Sequence, residues 1–252
     1  MNVADVITAL DLPAGSRVDQ RVPKKLLAEH GAPTAADKRK INEGIEEIHW
    51  LAALKSTTIS VPEFRDQDRE YLEIAVLSVA LRPGAKSGRL AELIHRAVPY
   101  PVFLIVSQDD ALEISLSHKR WSLSEAGSTA LDGALVAADL GVKQDAGFGR
   151  LFLKALPIVS QPRANLYSLY QGWMDTALTL AAARVTGKFA AAESQEDAAA
   201  RRSALIVCSR LNAQISGLRA AAAKEKRISR QVELNLEIKR MQAQLAQAKG
   251  DL

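Results

Sequence analysis

The sequence predicts an α+β protein: a small mixed sheet with covering helices, followed by a helical C-terminal region ending in a long coiled-coil-like helix. Two aliphatic runs, 71–81 and 102–107, are typical of strands, and the segment 87–97 between them has the apolar spacing of a helix. Residues 194–252 are rich in helix formers and carry apolar residues at alternating intervals of four and three. These observations indicate a sheet with a helix on one face, continued by a helical tail.

The composition is that of a globular protein without strong bias. Of 252 residues, 48% are hydrophobic and 25% are charged, and the net charge is +4. We expect three parts: an α+β head domain over residues 1–160, a linking amphipathic helix over 161–190, and a coiled-coil-like helical tail over 191–252. The mildly basic balance fits a nucleic-acid neighbour without requiring one.

Several classes of protein are disfavoured by what the sequence lacks. Cys208 is the only cysteine, which excludes an internal disulfide and a cysteine-rich zinc site. The N-terminus has no signal-peptide pattern, and the apolar runs are far shorter than the roughly 20 residues that span a bilayer. We therefore expect a cytoplasmic protein. Phosphate-loop, dinucleotide and zinc-protease motifs are missing too, so we predict no metal and no cofactor.

The first long helix is predicted to begin at Thr34, because Asp37 follows three residues later in the pattern of a capped N-terminus. It is predicted to run to about Leu54, with isoleucines at intervals of three and four on its buried face. Residues 57–61 are β-branched except for Ser60 and precede Pro62, so we predict a strand there.

The next segments predict the sheet. Strand 71–81, helix 87–97 and a strand beginning at Val102 follow one another, and the last is apolar on both faces, as in the centre of a sheet. Asp109-Asp110 predicts a tight turn, after which 112–116 returns as a strand. A short strand is expected near 134–140, and a helix from about Asn165 to Gly187.

The tail carries two apolar ladders that are out of register with each other. We expect their larger members to contact a partner helix; these are Leu211, Ile215, Leu218, Leu234, Ile238, Met241 and Leu245. Folding back near residues 223–233 would let the ladders cover each other. No Gly or Pro marks a turn there, so we favour one continuous helix of roughly 80 Å with a stutter.

Several segments together resemble one bacterial family. They are PKKLLAEHGAPTAADKRKINEGIEEIHWL, HRAVPYPVFLIV, SLSHKRW and RQVELNLEIKRMQAQL, in this order along the chain. The pattern resembles the uncharacterised family known as domain of unknown function 4391. The resemblance implies no activity. It does imply a gene neighbourhood of helicases and DNA methyltransferases in restriction-like phage-defence islands, and hence an accessory role there.

Basic residues and histidines supply the candidate contacts to phosphate or nucleic acid. His95 and Arg96 end the predicted helix, and the cluster 118–120 ends a strand; if the two clusters meet at one sheet edge, they form a cradle for phosphate or carboxylate. The alternative is that both are solvated element ends. The complete set of candidates is Arg21, Lys24, Lys25, Lys38, Arg39, His95, Arg96, His118, Lys119, Arg120, Lys224, Lys226, Arg227 and Arg230.

Three functions remain open. The first is a non-catalytic accessory protein that assembles through its tail, with itself as a homodimer or with a helicase or methyltransferase. The second is a nucleic-acid-binding protein. The third is an enzyme, either a phosphate-handling activity around the histidines or a degenerate nuclease. A restriction-type nuclease needs a Glu-x-Lys strand, and although Glu73 lies on a suitable strand, no lysine follows it. We favour the first function.

Overall fold

The computed structural model describes residues 1–123, 127–140, 147–190 and 194–252. They form two compact units, Met1–Ala177 and Leu178–Leu252. The boundary between them falls within one helix, Leu166–Thr186. The start of the tail expected at residue 191 lies outside the described residues.

The helices and strands of the described residues are as follows. The helices are α1 (Val3–Leu10), α2 (Lys24–His30), α3 (Ala35–Gly44), α4 (Ser56–Ile59), α5 (Ser87–Ala97), α6 (Phe148–Ala155), α7 (Leu166–Thr186), α8 (Gln195–Lys224) and α9 (Ile228–Gly250). The strands are β1 (Arg17–Arg21), β2 (Ile45–Lys55), β3 (Phe64–Arg65), β4 (Glu70–Tyr71), β5 (Glu73–Leu81), β6 (Val102–Gln108), β7 (Ala111–Trp121) and β8 (Thr129–Asp139).

The first unit is built on a mixed sheet, which confirms the α+β prediction. Among the described residues, six strands pair in the order β1-β2-β5-β6-β7-β8. β5 and β6 are parallel and are joined by α5, and the other neighbouring strands are antiparallel. The predicted strand-helix-strand-turn-strand order from β5 to β7 is therefore confirmed. Because the parallel pair lies inside the sheet, its strands are apolar on both faces.

Helices cover both faces of this sheet. On one face, α2, α3 and α5 pack over alternate residues of β5 and β6, among them Leu77 and Leu104. On the other face, the ring of Phe103 meets that of Trp173 of α7 edge-on, with centroids 5.1 Å apart. The buried Trp173 indole N–H also donates to the carbonyl of Leu156, at 2.9 Å. α7 is therefore held to the sheet by an aromatic contact and by a hydrogen bond.

An ion pair between the buried Asp37 and the partly exposed Arg89 fastens α3 to α5. The Asp37 carboxylate is 3% exposed and accepts hydrogen bonds from Arg89 Nη2 at 2.8 Å and Lys40 Nζ at 3.0 Å. These contacts, Arg89 first, hold the pKa of Asp37 well below its usual range. Thr34 caps the helix by accepting from the Asp37 N–H at 3.1 Å, which confirms the predicted start of α3.

The predicted end of that helix is wrong. α3 stops at Gly44, and residues 45–55 form strand β2. Register shifts in the pairing of β2 with β5 lie between Ile45 and Glu47 and between Trp50 and Ala52. Each bulge changes the side-chain spacing from two to three. Ile45 and Ile48 consequently face the same core, as they would on a helix, so the sequence pattern resembled a continuing helix.

The strand predicted at 57–61 is also wrong, because Ser56–Ile59 is a single helical turn. Its backbone is held locally: the Thr58 hydroxyl accepts from the Lys55 N–H at 3.0 Å and donates to the Lys55 carbonyl at 3.1 Å. Such local bonds compete with strand pairing and outweigh the β-preference of the threonines. The short strand expected near 134–140 is present and longer, as β8.

A tyrosine hydroxyl occupies the point where β6 and β7 stop pairing. The Tyr170 side chain of α7 is fully buried. Its hydroxyl donates to the Val102 carbonyl at 2.7 Å, accepts from the Ser117 N–H at 2.8 Å, and lies 3.1 Å from the Ser117 carbonyl. The hydroxyl thus replaces the ladder bonds that the two strands would otherwise make to each other.

The prediction of one continuous tail helix is wrong. α8 ends at Lys224 and α9 starts at Ile228, and the two helices pack against each other. The Gln231 side chain closes the connection by donating to the Ala222 carbonyl at 3.3 Å. The chain turns without Gly or Pro because Glu225 leaves the helical conformation and its carboxylate accepts two backbone N–H groups. Ser194 caps the start of α8, where its hydroxyl accepts from the Asp197 N–H at 3.0 Å.

Replacing Tyr170 by phenylalanine should destabilise the first unit. The change leaves buried backbone groups of Val102 and Ser117 without their partner, at a cost of about 2 kcal/mol. Tyr167→Phe, on the half-buried neighbouring ring, is the control and should cost clearly less. Urea unfolding followed by tryptophan fluorescence measures both, and equal losses would contradict the role of the Tyr170 hydroxyl.

The hairpin predicts a specific cross-link in the tail. Residues equally distant from the turn lie side by side, which brings Leu245→Cys next to the native Cys208. Oxidation should therefore give an intramolecular disulfide and a faster-migrating monomer on a non-reducing gel. In one straight helix the two positions would be about 55 Å apart. Gln247→Cys, on the exposed side of α9, should not cross-link, and a linked dimer from Leu245→Cys would contradict the hairpin.

Candidate functional site

The two histidines lie on opposite faces of β7: His95 packs against one face, and the His118 side chain projects from the other. His118 and Lys119 are neighbours on this strand, so their side chains point in opposite directions. The Lys119 side chain reaches the end of α5, whereas that of His118 lies among residues of β4 and α7. The structure therefore brings His95 and Lys119 together but not His95 and His118. The single cradle expected from both imidazoles is not formed.

Lys119 closes the C-terminal end of α5. Its Nζ donates to the carbonyls of His95 and Val98, the latter at 2.7 Å, and the residue is 1% exposed. Burial, and secondarily the charge of Arg96, lowers the pKa of Lys119 to about 7. A neutral amine has two N–H donors, which matches the two carbonyl acceptors. The arrangement is that of a buried side chain completing the last turn of a helix.

His95 lies beside this lysine and is fully buried. Its Nε2 forms a hydrogen bond of 3.0 Å with the hydroxyl of Ser115, and its Nδ1 has no partner within the described structure. Burial, with the charge of Lys119 as the second cause, lowers the pKa of His95 to about 3. The imidazole is therefore neutral at physiological pH, and a neutral buried ring adds no positive charge for a phosphate.

His118 belongs to a hydrogen-bond chain between β4 and α7. The Tyr71 hydroxyl accepts from the Lys119 backbone N–H at 3.2 Å and bonds to His118 Nδ1. When the Tyr71 hydroxyl donates its hydrogen to Nδ1, the imidazole carries its own proton on Nε2. This N–H then donates to Gln171 Oε1 at 2.8 Å. Gln171 in turn donates to Asp175 at 2.8 Å. The bonds all run in one direction, and burial raises the pKa of Tyr71, which keeps its proton in place.

Aromatic rings enclose the same imidazole. Tyr167 stacks on His118 with centroids 4.7 Å apart, and Phe64 stacks on Tyr167 at 4.9 Å. Arg69 lies 5.8 Å from the Tyr167 ring and is held by Asp132 through a 2.7 Å ion pair. His118 is 8% exposed in this setting. The group orients the His118 imidazole and connects it through Gln171 to Asp175.

Sequence reasoning missed the partners of His118. The helix predicted from about Asn165 was given no candidate site residue, yet the spacing of three and four puts Tyr167, Tyr170 and Gln171 on one side of it. The polar ends of these side chains were the available signal. Nothing in the sequence indicated that this side would meet β4 and β7.

The remaining basic residues of these clusters lie at the surface. Arg96 is exposed and pairs with Glu92 at 3.0 Å, within α5. Arg120 is half-buried, and its guanidinium donates to the neighbouring Trp121 carbonyl at 3.1 Å. Their predicted contact with phosphate stays a prediction.

Some of the N-terminal basic residues are bound to neighbouring groups, and the others are simply exposed. Lys24 is half-buried and donates to the Ile45 carbonyl at 3.0 Å, where α3 passes into β2. Lys25 lies 3.8 Å from Glu29 on the same helix. The others are exposed, and these are Arg21, Lys38 and Arg39.

The tail cations gather at the connection between α8 and α9. All four are exposed: Lys224, Lys226, Arg227 and Arg230. Arg230 forms an ion pair of 2.6 Å with Glu233, one turn further along α9. Within the first unit the predicted nucleic-acid contacts are spread over several elements, and within the second unit they lie at this connection.

The lysine that the nuclease pattern lacks is found on a neighbouring strand. Lys55 of β2 pairs in register with Glu73 of β5, and its Nζ lies 3.1 Å from the carboxylate. Two acidic residues that precede Glu73 are engaged locally: Asp66 accepts from the Arg69 N–H at 2.6 Å, and Glu70 lies 3.2 Å from Arg65. Within the described residues, no group of three or more His, Cys, Asp or Glu is arranged to hold a metal ion.

The burial of Lys119 predicts that the free energy of unfolding depends on pH. Its pKa is near 7 in the folded state and about 10.4 when unfolded, so the unfolded chain binds the extra proton between these values. The stability of the wild type relative to Lys119→Met should therefore rise from pH 7 to pH 10. Urea midpoints across this range measure the difference, with the exposed Lys38→Met as the control. Parallel pH profiles for wild type and Lys119→Met would show that burial does not shift the pKa.

Comparison with known proteins gives one match. No curated protein and no solved structure matches the chain. In the part of the chain that the structure describes, no helix is both long and apolar enough to cross a membrane. The model of one protein family matches residues 10–245. The chain belongs to the family described as Domain of unknown function (DUF4391).

Proposed function

We propose that the chain is a non-catalytic accessory protein of a bacterial restriction-like phage-defence system, acting in the cytoplasm. It docks a larger protein of that system through its α8–α9 hairpin. The observation that supports the proposal most directly is an exposed aliphatic stripe on the outer side of α9. The family's neighbourhood of helicase and methyltransferase genes supports the choice of system.

The apolar ladders themselves are not the docking surface of this proposal. In the folded hairpin, Leu211, Ile215, Leu234 and Ile238 are buried. The other members expected at a partner interface are half-buried, namely Leu218, Met241 and Leu245. The two ladders cover each other, so the second helix that each requires comes from the same chain.

The outer stripe consists of Ile228, Val232 and Leu236. These residues are 79%, 53% and 53% exposed. Their spacing of four puts them on one side of α9, and Leu234 and Ile238 lie on the opposite, buried side. Large aliphatic residues in a continuous exposed row are typical of surfaces that bind protein.

The charges beside the stripe indicate the chemistry of the partner. Along the chain, four exposed cations lie within four residues of its first residue, Ile228: Lys224, Lys226, Arg227 and Arg230. We therefore expect the partner to present an apolar groove with an acidic rim, which the stripe fills while the cations meet the carboxylates. A second copy of this chain is less suitable, since it would bring the same cations to the interface.

The double variant Val232→Glu/Leu236→Glu should lose this partner. Two carboxylates inside the apolar contact are expected to weaken binding at least about tenfold. The full-length tagged chain is co-expressed with the helicase and the methyltransferase of such a defence locus, and the mass of the purified complex is measured. Wild type should give a complex of defined stoichiometry, and the double variant should elute alone with unchanged circular dichroism.

Ile206→Glu is the matched control. Ile206 is 60% exposed on α8, outside the stripe, and its variant should keep the partner. Equal loss in the control would show that the hairpin as a whole had been damaged. If the double variant still formed the complex, the stripe would not be part of the interface. A wild-type homodimer that dissociates in the double variant would replace the proposed partner with a second copy.

A further inference from the structure

A basic cavity of about 310 Å³ lies between the end of α3 and the loop that joins β5 to α5. Its lining includes three cations and one carboxylate, which are Lys40, Arg82, Lys86 and Glu43. Gly44 and Leu90 complete its floor. The docking surface on the tail plays no part in this cavity.

The loop that forms one wall is held from several directions. The Gln108 side chain donates to the Arg82 carbonyl at 2.9 Å and to the Ala85 carbonyl at 3.0 Å. The Arg82 N–H donates to the Gly44 carbonyl at 2.8 Å. Gly84 takes a φ of +75°, which a side chain would strain. The wall is therefore formed before any ligand arrives.

Close packing at Gly44 sets the distance between the two walls. A Cβ at this position would lie 2.8 Å from Leu90 Cδ1 and 3.3 Å from the Ala85 Cβ. The end of α3 can approach the loop this closely only because residue 44 has no side chain.

Two of the cations are fixed by contacts that leave them further donors. Arg82 Nη1 donates to the Glu43 carbonyl at 3.1 Å, and Lys40 Nζ donates to Asp37 at 3.0 Å. A guanidinium has five N–H donors and an ammonium three, so both groups can bind another acceptor. Lys86 is exposed at the rim. The lining carries three positive charges and one negative charge, which favours an anion.

We propose that the basic cavity binds a phosphoryl group, presented by a nucleotide or by a nucleic-acid strand. Planar guanidinium and ammonium donors are the protein groups that suit phosphate oxygens best. A cavity of about 310 Å³ is at the small end of ligand sites. It encloses the phosphoryl group and leaves the rest of the molecule outside. The N-terminus of α5 adds a smaller positive field. The three basic side chains make the cavity positive even without this contribution.

Binding to the full chain is tested by titration calorimetry at low ionic strength. The probes are inorganic phosphate, ATP and a short single-stranded DNA. We expect saturable binding of at least one probe, and a Kd about tenfold weaker in Lys86→Gln, which removes one charged donor. Lys40→Gln is the second variant and should weaken the same probe. A nucleotide preference or a DNA preference identifies the source of the phosphate.

The control is Lys188→Gln, which makes the same charge change at an exposed residue outside the cavity. It should leave the Kd unchanged. Equal weakening in the control would show non-specific attraction to a basic protein and would overturn the site. The site would also be overturned if none of the three probes bound saturably. The same holds if both cavity variants, correctly folded, bound the probe as tightly as the wild type does.

Discussion

The hydrogen bonds of the Tyr170 hydroxyl are the constraint on which the first unit depends. β6 and β7 separate at Val102 and Ser117, and the hydroxyl supplies the bonds that the separated strands no longer make. Because α7 is anchored at this point, Tyr167 and Gln171 on the same side of the helix are brought to His118. Trp173, one turn further, packs on Phe103. The position of the helix and the setting of the histidine thus have one cause.

The polar residues that suggested chemistry serve the fold where they are buried. Lys119 completes the last turn of α5, and His95 lies neutral beside it. Asp37 joins α3 to α5 through Arg89. Buried polar groups need partners, and these come from neighbouring elements: carbonyls at the end of α5 for Lys119, Ser115 of β7 for His95 and Arg89 of α5 for Asp37. The exposed cations make contacts that leave further donors available, and we therefore expect ligands at the basic cavity and at the tail surface.

In the tail, intramolecular pairing changes the surface that is available to a partner. An apolar seam requires a second helix, and the turn at residues 225–227 provides it from the same chain. The residues of the seam are then covered within the hairpin, and the docking that we propose uses the outer side of α9 instead. The cations of residues 224–230 lie where the two apolar ladders lose register. They are exposed and adjoin the start of that outer side along the chain.

The sequence by itself determined the elements whose pattern is local. The caps at Thr34 and Ser194, helix α5, helix α7 and the strands β5 to β7 follow from propensity and periodicity. Tertiary structure decided the rest. Bulges gave β2 a spacing of three that resembles a helix, and only pairing with β5 reveals it as a strand. A hairpin and a straight helix have the same apolar seams, because a seam records the need for a partner and not its origin. The neighbours of His118 depend on how α7 meets the sheet, and no local pattern contains that information.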